Sequence, residues 1–207
     1  MNFLALPPSW PAAGLNWKSM ALGLSLLSLV GCASAPPSPT HYMLPTAAGA
    51  ATVYPTQLVV KVAPIHLASH IDNEGIIMQL NDIEVYQARE HLWGQDIGQQ
   101  LQQQLQQRLA KDLPNATIVS KGQTVARNMP VRELQVQVSR LQGQFSGDAL
   151  IEGQWQLLDE QGQLITQQPF SVLTPLTKDG YPELVRALGK AWQQQADVLA
   201  RELSRAY

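Results

Sequence analysis

Apolar residues recur along this chain with two different periods, and the period decides which elements the sequence predicts. Alternation of apolar and polar residues indicates a strand with one buried face. It is clearest over residues 134–138 and 149–157. Short runs rich in β-branched residues indicate further strands. These runs are 57–62, 76–80, 83–88, 117–120, 164–168 and 170–173, with Asn81-Asp82 as a turn and Pro169 favouring an edge or a bulge.

Two segments instead have the period of an amphipathic helix. One isoleucine and three leucines recur every four residues over 96–112, and Pro114 follows them. The second helix is predicted from Pro182 to about Leu203, because proline is tolerated at a helix start. The order of these elements, strands, helix, strands and helix, predicts an α/β (α+β) domain. In it, two long amphipathic helices pack on a mixed, largely antiparallel sheet, in two layers.

The N-terminus has the pattern of an export signal. An apolar run from Met20 to Val30 follows Lys18 and has about half the roughly 20 residues of a membrane span, as in a signal-peptide core. It ends in Leu29-Val30-Gly31-Cys32, which resembles a bacterial lipobox, where the cysteine sulfur accepts a diacylglyceryl group. The sequence therefore predicts a lipoprotein signal peptide over residues 1–31 and lipidation of Cys32.

An ordinary signal-peptidase site is the alternative, because Ala33-Ser34-Ala35 is an A-x-A pattern. Cleavage there would remove Cys32 and release a soluble protein. We favour acylation because the lone cysteine stands where a lipobox requires it, and acylation leaves no free thiol in an oxidising compartment. Residues 1–17 contain no basic residue, which leaves open a long leader or a start further along the chain.

Residues 32–41 are predicted to be the acylated cysteine and a tether of Ala, Ser and Pro. At about 3.1 Å per residue, such a tether reaches at most about 25 to 30 Å. The domain, predicted over residues 42–207, would therefore lie close to the membrane that holds the anchor.

Composition narrows the possible partners. The formal net charge is -2 and no basic patch is present, so nucleic acid is not expected. Charged residues make up 14% of the chain, against a typical ~25%. Glutamine replaces them, densely over 99–107 and 193–195. We interpret these glutamines as uncharged solvent-facing side chains rather than as a binding surface.

The sequence gives only weak evidence for catalytic or metal-binding residues. His66 and His70 are four residues apart, with Asp72 and Glu74 after them, a spacing that could hold a metal on a helix. The neighbouring Pro, Asn and Gly residues predict a loop instead. The sequence has no nucleotide-binding loop, zinc-protease or serine-hydrolase motif. We expect no enzyme, no cofactor and no metal. Trp155 and Trp192 are predicted to pack in the core, and Trp93 either to pack or to meet a partner.

Five segments together resemble the PqiC-type (paraquat-inducible protein C) family, the auxiliary lipoproteins of ABC-type and MCE-type transport systems. The segments are Tyr42-Met43-Leu44-Pro45, Val62-Ala63-Pro64-Ile65-His66-Leu67, Leu92-Trp93-Gly94, Ile151-Glu152-Gly153-Gln154-Trp155 and Asp179-Gly180-Tyr181 with Trp192. Their order and spacing span essentially all of the mature chain. The motif residues that are candidates for partner contact are Tyr42, Leu44, Pro64, Trp93, Gly180, Tyr181 and Trp192.

The resemblance implies a lipoprotein without enzymatic activity that docks a transport complex at the outer membrane. Ala33, rather than Asp, follows Cys32, which by resemblance to sorting in enteric-type bacteria implies transfer to the outer membrane. The implied partners are the outer-membrane bilayer, through acylated Cys32, and an inner-membrane or periplasmic protein with MCE domains. A homo-oligomer is also possible. The complex would move lipids or other hydrophobic molecules and support envelope integrity.

Two other functions stay open at this point. A lipid carrier would hold an acyl chain between the helices and the sheet of its own domain. An envelope hydrolase would need a nucleophile and a base in one cleft, and the sequence shows no such pair.

Overall fold

Nine strands and two helices follow one another in the computed structural model, which describes residues 38–46, 52–125 and 129–206. The first half contains β1 (Thr40–Tyr42), β2 (Val59–Val62), β3 (His66–Leu67), β4 (Gly75–Gln79), β5 (Val85–Trp93) and α1 (Ile97–Asp112). The second half contains β6 (Thr117–Ser120), β7 (Val131–Gly143), β8 (Asp148–Leu158), β9 (Leu164–Pro175) and α2 (Tyr181–Arg205). No helix in these described ranges is long and apolar enough to cross a bilayer.

The 13-residue strand β7 is the spine of the sheet. Along one edge it pairs antiparallel with β8, which in turn pairs antiparallel with the edge strand β9. Along the other edge it pairs in parallel with β2, then β3, then β4. β6 extends the sheet beyond β2, and β5 and then β1 extend it beyond β4.

Both helices pack on one face of this sheet and close the core. Leu101, Leu105 and Leu109 of α1 are fully buried, as are Leu134 of β7 and Ile151 of β8. Alternation turns the intervening polar residues of β7 and β8 to the other face. There glutamine side chains bond across strands: Gln135 to Gln156 at 2.6 Å, Gln137 to Gln154 at 3.0 Å, and Gln154 to Gln167 at 3.1 Å.

The predicted fold class is confirmed, and its errors are local. Strand β9 runs unbroken through Pro169, which pairs with Gln154 at the sheet edge. Edge placement was therefore right, while the irregularity lies between Leu157 and Leu158 instead. The loop predicted around His66 and His70 begins instead with a short strand, β3, because His66 and Leu67 pair with β7. A strand of two residues that pairs only with a strand distant in the chain has no recognisable pattern in the local sequence.

Candidate functional site

The N-terminal segment of the domain is held against three other elements, and most family-motif residues lie where it docks. β1 pairs in parallel with the end of β5, so that Tyr42 stands beside Trp93. The amide of Gly94 donates to the Tyr42 carbonyl at 2.8 Å. The chain then leaves the sheet, and Leu44, only 6% exposed, packs with the core residues of both helices.

Glutamines of α1 replace the missing strand partner of this segment. The Leu44 amide donates to Oε1 of Gln100 at 2.9 Å, while Nε2 of Gln104 donates to the carbonyls of Leu44 and Pro45 at 3.0 and 3.1 Å. Gln100 and Gln104 are 3% and 9% exposed. Buried backbone groups need such partners. Our interpretation of these glutamines as solvent-facing is therefore wrong for this pair, which lies beside the leucine stripe at the same four-residue spacing.

A glycine of α2 makes room for the segment. A Cβ atom at Gly189 would lie 2.6 Å from Cδ of Pro45, a distance that real Cβ atoms do not reach. Gly189 is buried within the apolar stripe of α2. The helix therefore tolerates a glycine, despite its poor helix propensity, because Pro45 lies directly on its backbone.

Replacing Gly189 with valine should displace Pro45 and Leu44 and break their bonds to Gln100 and Gln104. Overpacking of this kind lowers the free energy of unfolding by about 1–3 kcal/mol. Urea unfolding measures that loss, and limited proteolysis near residues 38–46 should become faster. Lys190→Val is the matched control, since it places the same side chain on the exposed neighbouring position. Equal stability of the two variants would contradict the packing described here.

Three aromatic rings join the N-terminal segment to β5 and to the start of α2. We name Tyr42, His91 and Tyr181 the aromatic clasp. The Tyr42 hydroxyl lies 2.9 Å from Nδ1 of His91, and the His91 ring stacks on Tyr181 with centroids 3.9 Å apart and planes 18° apart. Burial, followed by the neighbouring Tyr86 and Tyr42, raises the pKa of Tyr181 above 10.0. Tyr181 is therefore neutral at physiological pH, and the clasp holds three segments of the domain together.

The remaining motif residues lie at distinct places. Gly180 precedes α2 with a φ of 109°, a conformation that favours glycine. Pro64 is exposed after β2, and Trp192 lies in the core with its indole donating to the Leu101 carbonyl at 2.9 Å. Trp93 and Trp192 are 6% and 1% exposed, so they pack. Contact of the motif residues with a partner stays a prediction, with Pro64, Gly180 and parts of the clasp accessible for it.

A buried ion cluster ties α1 to α2 on the same side of the sheet. Nε of Arg108 lies 3.2 Å from Oδ2 of Asp112 and 2.6 Å from Oδ1 of Asp197. The side chains of Arg108 and Asp112 are 5% and 2% exposed, whereas that of Asp197 is 38% exposed. Burial raises the pKa of Asp112; Arg108 opposes this and Asp197 adds to it.

The raised pKa of Asp112 fixes the sign of a pH effect. Its stabilising contribution is complete below its ordinary value of 3.8 and is lost as the pH rises through the raised folded value. As the pH rises from about 3 to about 7, the free energy of unfolding of Asp112→Asn should therefore rise relative to that of wild type. Urea unfolding at each pH measures this difference.

Glu133 provides the opposite case. Although burial opposes the shift, hydrogen bonds from Lys121 and Gln135 lower the pKa of Glu133. Glu133→Gln should therefore lose stability relative to wild type over the same pH rise. The same slope for both variants would contradict these assignments.

Three cavities of similar size open on the described domain, and their walls mix polar and apolar side chains. One, of about 350 Å³, lies at the glutamines of β7, β8 and β9 together with His66 and Leu67. Another, of about 400 Å³, lies beside the N-terminal segment, between His41, Asp72, Glu74 and Asp96. The third, of about 370 Å³, is lined by Glu152 and Phe170. Large side chains fill the space between the helices and the sheet, where the acyl-chain carrier would hold its ligand. Within the described ranges, no three His, Cys, Asp or Glu residues are grouped as metal ligands would be.

Comparison with known proteins shows which family this domain resembles in sequence and in fold. Residues 42–200 match the family model for the ABC-type transport auxiliary lipoprotein component. The chain belongs to this family. The match begins at Tyr42, the first ring of the clasp, and ends within α2. The resemblance predicted from the motifs is confirmed, and the family description names an auxiliary transport component rather than an enzyme.

Individual relatives agree with the family assignment. The chain is 29% identical over 190 residues to the "Intermembrane transport lipoprotein PqiC" of Escherichia coli (strain K12), a match that covers 91% of this chain and 98% of that protein. A crystal structure of an uncharacterized protein matches with a TM-score of 0.69 and 28% identity over 81% of this chain and 99% of that one.

A Xanthomonas campestris protein shares the fold, with a TM-score of 0.62 and 18% identity over 82% of this chain and 94% of its own. Family membership thus makes this chain a lipoprotein component that is auxiliary to transport. The predicted lipidation site, Cys32, lies outside the described residues.

Proposed function

We propose that this protein is an outer-membrane lipoprotein, anchored by acylated Cys32, that docks an MCE-domain partner for intermembrane lipid transport. The observation that carries the proposal is the match to the transport lipoprotein family over residues 42–200. The 29% identity to a relative named as an intermembrane transport lipoprotein, across 98% of that relative, supports a role in transport between membranes.

The described domain suits a docking role. Its helix–sheet core is filled by large apolar side chains. The N-terminal segment is bonded to α1 and stacked against α2 and β5, so a pull on the anchor is transmitted directly to the core. A domain with a filled core on a short tether can hold a partner near the membrane without carrying the cargo itself.

Substitution of Cys32 tests the anchor. Wild type is expected to carry an acylated cysteine by intact mass and to float with the outer membrane. Cys32→Ser should be recovered in the periplasmic fraction, because two or three acyl chains make the difference between free and stably anchored protein. Ser34→Ala is the control, since it leaves the lipobox and the A-x-A pattern intact. A wild-type protein that is soluble and begins after Ala35 would contradict the proposal.

The position after the cysteine tests which membrane holds the protein. Ala33→Asp should leave the acylated mass unchanged apart from the substitution and move the protein to the inner-membrane fraction. Equal sorting of wild type and Ala33→Asp would count against outer-membrane placement while leaving lipidation intact.

A further inference from the structure

Two neighbouring turns of the sheet display an apolar side chain at their apex. In the β4–β5 turn, Asn81 accepts bonds from the amides of Ile83 and Glu84 at 3.0 and 2.8 Å, and Ile83 is 89% exposed. In the β7–β8 turn, Ser146 bonds Asp148 at 2.8 Å, and Phe145 is 67% exposed. Polar side chains hold both turns, so neither apolar residue is needed to form them.

Both turns lie at the same end of the sheet. β4 runs parallel to β7, with Met78 paired to Gly143. Leu80 and Phe145 each follow two residues after that pair, and Leu80 is 47% exposed. We name Leu80, Ile83 and Phe145 the apolar tip.

The opposite end of the sheet has the same kind of turn with polar residues at its apex. Asp159 accepts bonds from the amides of Gln161 and Gln163 at 2.9 and 2.8 Å. Leu164 and Ile165 are also exposed there, at 56% and 42%, but they lie along the edge strand β9 rather than at the turn. A turn of this kind therefore forms without an apolar residue at its apex, and the need to form the turns does not explain why apolar residues occupy the apices at one end of the sheet.

The N-terminal end of β1 points towards the apolar tip. Because β1 is parallel to β5 with Thr40 beside His91, the chain before Thr40 heads towards the β4–β5 turn. His91 follows Ile83 by eight positions, and Thr40 follows Cys32 by eight positions. At about 3.3 Å per residue in the strand and about 3.1 Å in a proline-rich tether, the two lengths agree. Three prolines between Cys32 and Thr40 favour the extended form.

We propose that the apolar tip inserts into the bilayer that holds acylated Cys32 and fixes the orientation of the domain on that membrane. The inference rests on the proposed anchor. It adds a second contact, made by protein side chains, so that the domain is held on the membrane in a defined orientation.

The charges around the apolar tip predict that it does not require anionic lipid. Asp82, Glu84 and Asp148 flank the three apolar residues, so attraction to anionic headgroups does not drive the contact. Insertion depends instead on burial of apolar area, and it should persist in uncharged phosphatidylethanolamine–phosphatidylcholine vesicles and at high salt.

Single-cysteine labelling tests this contact in the full, acylated chain. The sulfur of acylated Cys32 is blocked, so Ile83→Cys, Phe145→Cys and the far-end control Gln161→Cys each carry one reactive thiol. Each variant is labelled with a polarity-sensitive fluorophore and placed in vesicles with or without brominated acyl chains. All three positions are exposed turn residues, and circular dichroism checks that the fold is kept.

The expected result is a blue-shifted emission at positions 83 and 145 that brominated lipid quenches, with Gln161→Cys unshifted and unquenched. Unshifted emission at 83 and 145 in protein that is acylated and floats would overturn the inference while the anchor stands. A blue shift without quenching would show that a second copy or another protein covers the tip, which also overturns it. Absence of the acyl mass would overturn the proposed anchor and the inference together.

Discussion

Replacing Arg108 with alanine is expected to lower the free energy of unfolding by about 3–5 kcal/mol, because it leaves a buried carboxylate without its partner. Asp112 is 2% exposed and lies 3.2 Å from the guanidinium that balances it. Asp197 would also lose its 2.6 Å contact, which is one of the links between α1 and α2. Urea unfolding monitored by tryptophan fluorescence measures the loss.

Two further variants isolate the cause. Arg186→Ala removes an ion pair whose arginine side chain is 66% exposed, and it should change stability by less than about 1 kcal/mol. Arg108→Met with Asp112→Leu removes both buried charges and should recover most of the stability, as replacement of buried pairs by apolar residues often does. If Arg108→Ala and Arg186→Ala had equal effects, the cluster would not stabilise the helix pair.

Trp192→Ala is the second large change, with an expected loss of about 3–5 kcal/mol, because it leaves a cavity in a filled core. The Trp192 side chain is 1% exposed, and its indole also bonds the Leu101 carbonyl of α1. Both losses act on the contact between the two helices.

Trp192→Phe separates the hydrogen bond from the packing. It keeps an aromatic ring and should cost clearly less than Trp192→Ala, and the comparison is again made by urea unfolding. Gln194→Ala, at an exposed position of the same helix, should be close to wild type. Retention of wild-type stability by Trp192→Ala would contradict the described core.

Strands and helices were predictable because their patterns are local. The four-residue stripe of α1 and the alternation in β7 and β8 each arise because one face of the element is buried and the other is exposed. The position of Pro182 likewise marked the start of α2. By contrast, the succession of β2, β3 and β4 along β7 depends on pairing between residues up to about 70 positions apart in the chain, and composition carries no record of it.

The docking of the N-terminal segment was harder to predict. Gln100 and Gln104 belong to a run of glutamines in which most members are more exposed, and only their spacing beside Leu101 and Leu105 sets them apart. Gly189 looks like an ordinary weak point of a helix until Pro45 is placed on it. His91 gains its role from partners 49 and 90 positions away, so sequence separation concealed it.

Five of the seven motif residues separate into two groups. Trp93, Leu44 and Trp192 are buried and maintain the fold, which is sufficient reason for each to be a large apolar residue. Tyr42 and Tyr181 keep part of their surface and close the clasp. The motif residues on which the family resemblance rests therefore include residues that shape the domain, and they are not by themselves a map of the partner interface.

The most direct test of the proposed function is the recovery of an MCE-domain protein cross-linked to this chain in fractionated membranes of its native host. Wild type is expected to bring the MCE-domain protein into the outer-membrane fraction. With Cys32→Ser, that protein should still be cross-linked to the domain but should leave the outer-membrane fraction. Failure of acylated wild type to recover any MCE-domain protein would contradict the docking role.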